Sequence, residues 1–254
     1  MNFVDLMGTR FAAVTEAEAA AWIVEQWRVG EGGWVSTPNT HQLRLLSRER
    51  DLRALVARAS LVVADGMPLI WASALQATPL PERVAGSSLV WSLAREAARA
   101  RAPLFLLGGD PGVAERAAAR LEAEIPGIMI AGTHCPPLGF ERDERERAEI
   151  IDRLRCARPA IVYVGLGFPK QERLIIDLCP FLPATWFLGI GISLSFISGD
   201  QRRAPAWVQK AGLEWAHRLS REPGRLFRRY VIEGIPFTVR LLFASARRRL
   251  AASP

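Results

Sequence analysis

Asp65 closes the tetrapeptide run Val62-Val63-Ala64-Asp65, and Gly66 and Met67 follow it, so a carboxylate falls where an apolar segment gives way to a turn. A second polar turn, Thr37-Pro38-Asn39-Thr40, follows the apolar run at 34–36. Pro38 fixes the backbone there, and Thr37 and Asn39 offer a hydroxyl and an amide to a ligand. Each turn also has an ordinary structural explanation. Asn39 and Thr40 are good N-caps for the helix predicted from Gln42, and Asp-Gly is a common turn pair.

Two glycine-bearing turns complete the set. Gly108-Gly109-Asp110-Pro111-Gly112 leads from an apolar run into a helix pattern, whose first amides are suited to holding a phosphate. Gly165-Leu166-Gly167-Phe168-Pro169-Lys170-Gln171-Glu172 combines glycines that permit close backbone approach with Lys170, Gln171 and Glu172 at the start of the next helix. Neither turn is a G-x-G-x-x-G dinucleotide fingerprint, and no G-x-x-x-x-G-K-[ST] loop occurs. A G-x-S-x-G elbow and a D-x-D pair are also missing, which argues against acyl chemistry and against a divalent cation clamped on a sugar-nucleotide diphosphate. If a diphosphate leaves, arginines must neutralise it. Three cysteines and three histidines, with His134-Cys135 the one adjacent pair, do not make a disulfide framework or a closed zinc site. No metal or cofactor is expected.

These turns need a scaffold that brings them to one edge. Short runs rich in Val, Ile and Leu (34–38, 61–65, 103–109, 128–132, 160–167 and 185–191) alternate with helical patterns over Gln42–Ala59, from Met67, Ser88–Ala100, Val113–Ile125, Arg142–Cys156 and Pro169–Leu178. Non-alternating apolar strands separated by helices predict an α/β, Rossmann-like, mainly parallel sheet with helices on both faces. Ligands of such open sheets collect beyond the carboxyl ends of the strands, where all four turns fall. Residues 178–199 carry no charge over 22 positions, long enough to span a bilayer. Two prolines and three glycines interrupt that stretch, which reads better as a buried strand. The N-terminal residues do not form a secretory signal, so a cytoplasmic location is expected.

The charge of the 254-residue chain is uneven. The overall +7 includes twelve Lys or Arg against three Glu between Arg202 and Arg249, leaving the rest slightly acidic. Nearly all the basic residues are Arg, 31 of 33, a bias that codon usage explains as well as anion binding does. From about Arg203 the pattern is helical and aromatic, with arginines between apolar positions. Two arrangements suit it: a helix packing its apolar stripe on the core, or a basic appendage meeting phosphate or an anionic membrane. The last part, from Ile235, fits the membrane better. The expected organisation is a core over 1–202 and a helical appendage over 203–254. No nucleic-acid-binding motif accompanies the basic segment, and no nucleic acid is expected as partner.

The segments TPNT (37–40), ADGM (64–67), LPERVAGSSLV (80–90), FLLGGDPGVAERAA (105–118), GLGFPKQE (165–172) and the arginine-rich stretch 203–230 together resemble the WecG/TagA/CpsF glycosyltransferases, in order and over nearly the whole chain. The resemblance implies an inverting, metal-independent transfer from a UDP-sugar to a polyprenyl-diphosphate-linked saccharide in bacterial exopolysaccharide, O-antigen or teichoic-acid-type synthesis. N-acetylmannosamine, its uronic acid and glucose are the sugars moved in that family. It implies Asp65 as catalytic base with Thr37 and Asn39 beside it, and Gln171 near the nucleotide-sugar. Arg218, Arg225 and Arg228 match appendage arginines that close over the site and engage the diphosphate. The appendage is expected to touch the inner face of the cytoplasmic membrane, and self-association is a family trait.

One position departs from the pattern. Where the family commonly has S-F-D-F, this chain reads Ser193-Leu194-Ser195-Phe196, so Ser195 would meet a nucleoside by hydrogen bonding without charge. That substitution motivates the alternative of a catalytically inactive UDP-binding regulator or scaffold.

Overall fold

The computed structural model describes residues 1–252, apart from the side chains of Ala206, Lys210, Arg225 and Ala252. An antiparallel hairpin opens the chain, β1 (Phe3–Leu6) and β2 (Thr9–Ala12), with Met7 and Gly8 at positive φ in its turn. Helix α1 (Glu16–Arg28) follows, its start fixed by a capping box in which Thr15 and Glu18 satisfy each other's backbone N–H groups.

The main sheet then begins with β3 (Gly33–Ser36), α2 (Thr40–Arg48), α3 (Arg50–Val56), β4 (Leu61–Val62), α4 (Met67–Leu75) and α5 (Gly86–Ala100). Next come β5 (Leu104–Gly108), α6 (Val113–Glu124), β6 (Ile130–His134), a 3-10 turn at Phe140–Arg142 and α7 (Glu144–Ala157). The core closes with β7 (Ile161–Gly165), α8 (Lys170–Leu178), β8 (Trp186–Gly189) and α9 (Ser193–Ser198). Beyond the core the described residues form α10 (Ala206–Lys210), α11 (Glu214–Arg221), α12 (Pro223–Phe227), a π-helical turn at Arg228–Gly234 and α13 (Ile235–Ala252).

The six strands lie in the order β4-β3-β8-β7-β5-β6 and every neighbouring pair is parallel. Strand pleating divides the core between the faces. Leu104, Leu106, Ile161, Tyr163, Trp186 and Leu188 point to the side covered by α1, α5, α6 and α9. Phe105, Leu107, Val162, Val164 and Phe187 point to the side covered by α7 and α8. With both faces buried, the strands are apolar without alternation, as the sequence indicates. The Tyr163 hydroxyl donates to the Val90 carbonyl at 2.7 Å and so fastens α5 to β7.

The uncharged stretch 178–199 contains β8, which is buried in the middle of the sheet. No described helix is long and apolar enough to cross a membrane. The helical run expected over Gln42–Ala59 is two helices. Arg53 donates to the carbonyls of Leu46 and Ser47 at 3.0 and 3.1 Å, taking the last acceptors of α2 while Glu49 adopts extended backbone and the chain turns into α3.

Helix α13 packs one apolar stripe on the core and leaves another exposed. Phe237 and Leu241, one turn apart, are buried with Leu43, Leu46, Leu69 and Ala72. Ile235, Val239 and Phe243, also one turn apart, are exposed, as are Trp71 and Leu75 on the neighbouring α4.

Candidate active site

The carboxyl ends of β3 and β4 are joined before any ligand arrives. Ser36 pairs with Val62 in the sheet, and the Asp65 N–H then donates to the Pro38 carbonyl at 3.1 Å, so the two polar turns run side by side. Val84 donates to the Ala64 carbonyl at 3.0 Å, which draws in the loop leading to α5. At the start of that helix the Gly86 N–H donates to the Asp65 carboxylate. A Cβ on Gly86 would stand 3.0 Å from Thr37 Oγ1, so Thr37 and Asp65 meet over the same glycine.

Burial raises the Asp65 carboxyl to about 6, against the pull of Arg83 and Arg203 in the opposite direction; Glu214 adds to the rise. A carboxyl tuned to that range is ionised at neutral pH yet basic enough to accept a proton. Asn39 is the N-cap of α2: its Oδ1 accepts from the amides of His41 and Gln42 at 3.1 Å, while Gln42 Oε1 accepts from its N–H. With Oδ1 engaged twice, the amino group of Asn39 is what it has to offer a ligand.

The ends of β7 and β8 are joined by one side chain. Gln171 Oε1 accepts from the N–H groups of Gly167 and Gly191 at 3.1 and 3.0 Å. Its Nε2 donates to Glu172 Oε1 at 2.9 Å, which fixes the orientation of the amide. A side chain at Gly189 would collide with this group, since a Cβ there would lie 2.6 Å from Gln171 Nε2. Gln171 and Glu172 are 4% and 2% exposed, so both lie buried beneath the turns that follow β7 and β8. Burial raises the Glu172 carboxyl to about 6, and its Oε2 has no hydrogen-bond partner among the described residues. Lys170 points the other way, pairing with Glu141 at 2.7 Å.

Gly108 and Gly109 make a close crossing with β7: Gly109 N–H donates to the Gly165 carbonyl at 2.9 Å, and a Cβ on Gly108 would lie 2.7 Å from that same oxygen. The Gly109 amide is therefore engaged within the fold. Its carbonyl accepts from the Cys135 thiol at 3.1 Å. Ser195 lies in the first turn of α9, half-buried, beyond the end of β8.

The appendage reaches Asp65 through residues that the sequence reading does not single out. Arg203 Nη1 donates to the Ser87 carbonyl at 3.0 Å and Nη2 to Ser88 Oγ at 3.1 Å, both at the start of α5. Its Nε lies 3.3 Å from Glu214 Oε1, and Arg83 Nη1 lies 3.6 Å from Glu214 Oε2. All three side chains are largely buried. The signal for Arg83 is its polar, Pro- and Gly-bounded loop between α4 and α5, among the segments that carry the resemblance. Arg203 and Glu214 were hidden in a stretch read as a single basic block.

Of the arginines named from the resemblance, Arg218 is half-buried on α11. Arg228 is mostly exposed and pairs with Glu233 at 3.2 Å. The side chain of Arg225 lies outside the described residues. Glu233 also pairs with Arg44 of α2, tying the π-helical turn to the core beside His41, whose imidazole is lowered to about 4 by burial, Arg229 and Arg44.

A sequence profile described as Glycosyl transferase WecG/TagA/CpsF family matches residues 4–251. The chain belongs to that family. Two curated relatives of this WecG/TagA/CpsF member carry the name N-acetylglucosaminyldiphosphoundecaprenol N-acetyl-beta-D-mannosaminyltransferase. The relative from Bacillus spizizenii is 32% identical over 172 residues, covering 68% of this chain and 65% of its own. The one from Bacillus subtilis is 30% identical over 208 residues, covering 82% and 79%. The chain thus spans just under two thirds of the first relative's length.

Proposed function

We propose that this protein transfers a sugar, of N-acetylmannosamine type or glucose, from a UDP-sugar to a polyprenyl-diphosphate-linked saccharide, with inversion at the anomeric carbon. The observation that carries the reading is Asp65: a carboxyl raised to about 6 by burial, beside Thr37, at the carboxyl ends of two parallel strands, with two arginines close by. The relatives' names describe a lipid-diphosphate acceptor and an aminosugar, and they supply the substrate class.

In this mechanism Asp65 accepts the proton of the acceptor hydroxyl as that oxygen bonds to the anomeric carbon and the bond to UDP breaks. A general base of this kind accounts for about 10²- to 10⁴-fold in rate. Thr37 and the Asn39 amino group orient the sugar or acceptor, which lowers the barrier by positioning. Arginines stabilise the charge that develops on the departing diphosphate. Burial of Gln171 and Glu172 supports a role in holding the β7 and β8 turns at the donor's edge, with the donor meeting backbone and Ser195 instead.

The exposed Ile235, Val239 and Phe243 of α13, with Trp71 and Leu75 of α4 and the nearby Arg240 and Arg247, form an apolar face edged by positive charge. That composition suits the interface of an anionic bilayer, where a lipid-linked acceptor resides. The core over 1–202 then binds donor, and the appendage over 203–254 brings it to the membrane.

Calorimetric titration with UDP, UDP-glucose, UDP-N-acetylglucosamine and UDP-N-acetylmannosamine, with and without magnesium, tests the donor half. Binding of UDP without magnesium, strengthened by one of the sugars, is the expected result, followed by transfer of that sugar to a polyprenyl-diphosphate-N-acetylglucosamine acceptor. Donor binding with no transfer to lipid-linked acceptors would favour the scaffold alternative, and absence of binding to all four would overturn the donor class.

A further inference from the structure

Glu214 opens α11 and places its carboxylate between two arginines from different parts of the chain. Arg83 belongs to the loop before α5; Arg203 begins the appendage and is anchored to Ser87 and Ser88. The turn before Glu214 is pressed onto the segment that follows Asp65, for a Cβ on Gly212 would lie 2.4 Å from Met67 Cγ. Two guanidinium groups this close to one site repel each other, and a carboxylate between them is what allows both to stay.

We propose that Glu214 is a positioning residue for sugar transfer: it clasps Arg83 and Arg203 together at the mouth of the Asp65 crevice, so that seating the appendage and charging the crevice are a single event. The inference rests on the reading of Asp65 as the base. Without the clasp, Arg203 keeps its hold on α5, but Arg83 loses its link to the appendage. The two guanidinium groups are then no longer held in a fixed arrangement towards the leaving diphosphate, and geometric losses of that kind cost about tenfold to a hundredfold in rate.

The clasp also leaves an electrostatic trace that a purely structural contact would not. The charged groups acting on Asp65 are Arg83 and Arg203, which favour its ionised form, and Glu214, which opposes it. Removing the Glu214 charge while Arg83 and Arg203 remain lets Asp65 ionise at lower pH.

The test uses the full chain with UDP-N-acetylmannosamine and a polyprenyl-diphosphate-N-acetylglucosamine acceptor, with kcat/KM followed from pH 5 to 9. Glu214→Gln is expected to lower kcat/KM about tenfold or more and to move the acid limb to lower pH by roughly half a pH unit. Glu214→Asp, which keeps the charge, is expected to return the limb to its wild-type position. A folded fraction that is constant from pH 5 to 9, verified by circular dichroism at each pH, scales kcat/KM without moving the limb, so limb position is read over the range where the variant stays folded. An acid limb that stays in place or rises in Glu214→Gln overturns the proposal. Asp65→Asn run alongside separates the two ideas: if it transfers sugar normally the base assignment fails, whereas an inactive Asp65→Asn with an unmoved Glu214→Gln limb overturns the clasp alone.

Discussion

The backbone of Gly86 lies so close to Thr37 that an added Cβ would stand 3.0 Å from the hydroxyl oxygen, while the N–H of the same glycine donates to Asp65. Gly86→Ala therefore pushes Thr37 aside by a few tenths of an ångström without removing any hydrogen bond. Alanine near a helix start is stabilising by about 0.4–1 kcal/mol where its conformation is allowed, which offsets the crowding. A nearly unchanged melting temperature with kcat/KM down about tenfold is the expected pair of results. An equal fall in both would assign Gly86 to packing only.

The Asp65 carboxyl is 3.8 ordinarily and about 6 in the fold. Transfer should accordingly lose rate as the pH falls through about 6. Its effect on stability has the opposite sense: the folded state binds this proton more tightly than the unfolded chain, so the contribution is full below about pH 4 and is lost as pH rises through about 6. Asp65→Asn is predicted to abolish transfer, to leave stability unchanged near pH 4 and to raise it at pH 8 on the order of 2 kcal/mol. Denaturant midpoints at the two pH values check this.

Gln171 supports two turns with one oxygen. Replacing it with Leu strands the Gly167 and Gly191 N–H groups and the Glu172 carboxylate, at a cost of about 2–5 kcal/mol. Urea unfolding of the variant at pH 7 measures it. A loss below about 1 kcal/mol would mean that water replaces the amide without penalty.

The two stripes of α13 separate by experiment. Phe237→Ala empties a buried site and is expected to cost about 3–5 kcal/mol, read as a lower melting temperature. Phe243→Ser, on the exposed stripe, should change stability by less than about 0.5 kcal/mol. It should nevertheless weaken sedimentation with phosphatidylglycerol-containing vesicles. Equal vesicle binding by both proteins would remove this face from membrane contact.

The sheet was legible because a strand buried on both faces has a pattern of its own, and the turns after β3 and β4 followed from it. Thr37 and Asp65 stand out in the sequence because each ends or follows an apolar run, although β4 itself stops at Val62, with Val63 and Ala64 between it and Asp65. The β1–β2 hairpin escaped: four-residue strands with Asp5 and Arg10 among them lack a long apolar run. Arg83, Arg203 and Glu214 escaped for a different reason. Glu214 meets Arg83, and Arg203 meets Ser87, across more than a hundred residues, and local spacing holds no trace of either contact. For Gln171 the residue type alone does not distinguish a side chain that meets a ligand from one that joins two loops, as its contacts with Gly167 and Gly191 do.

Strand β8, near residue 186, is inserted between β3, near residue 34, and β7. A nascent chain therefore cannot complete the crevice from its first half, because β3 and β7 remain separate edges until β8 arrives between them. Arg203 and Glu214 leave the ribosome later still. A partly synthesised molecule holds Asp65 with Thr37, Arg83 and Gly86 but without Arg203 and Glu214, which complete its surroundings only after the sheet has closed.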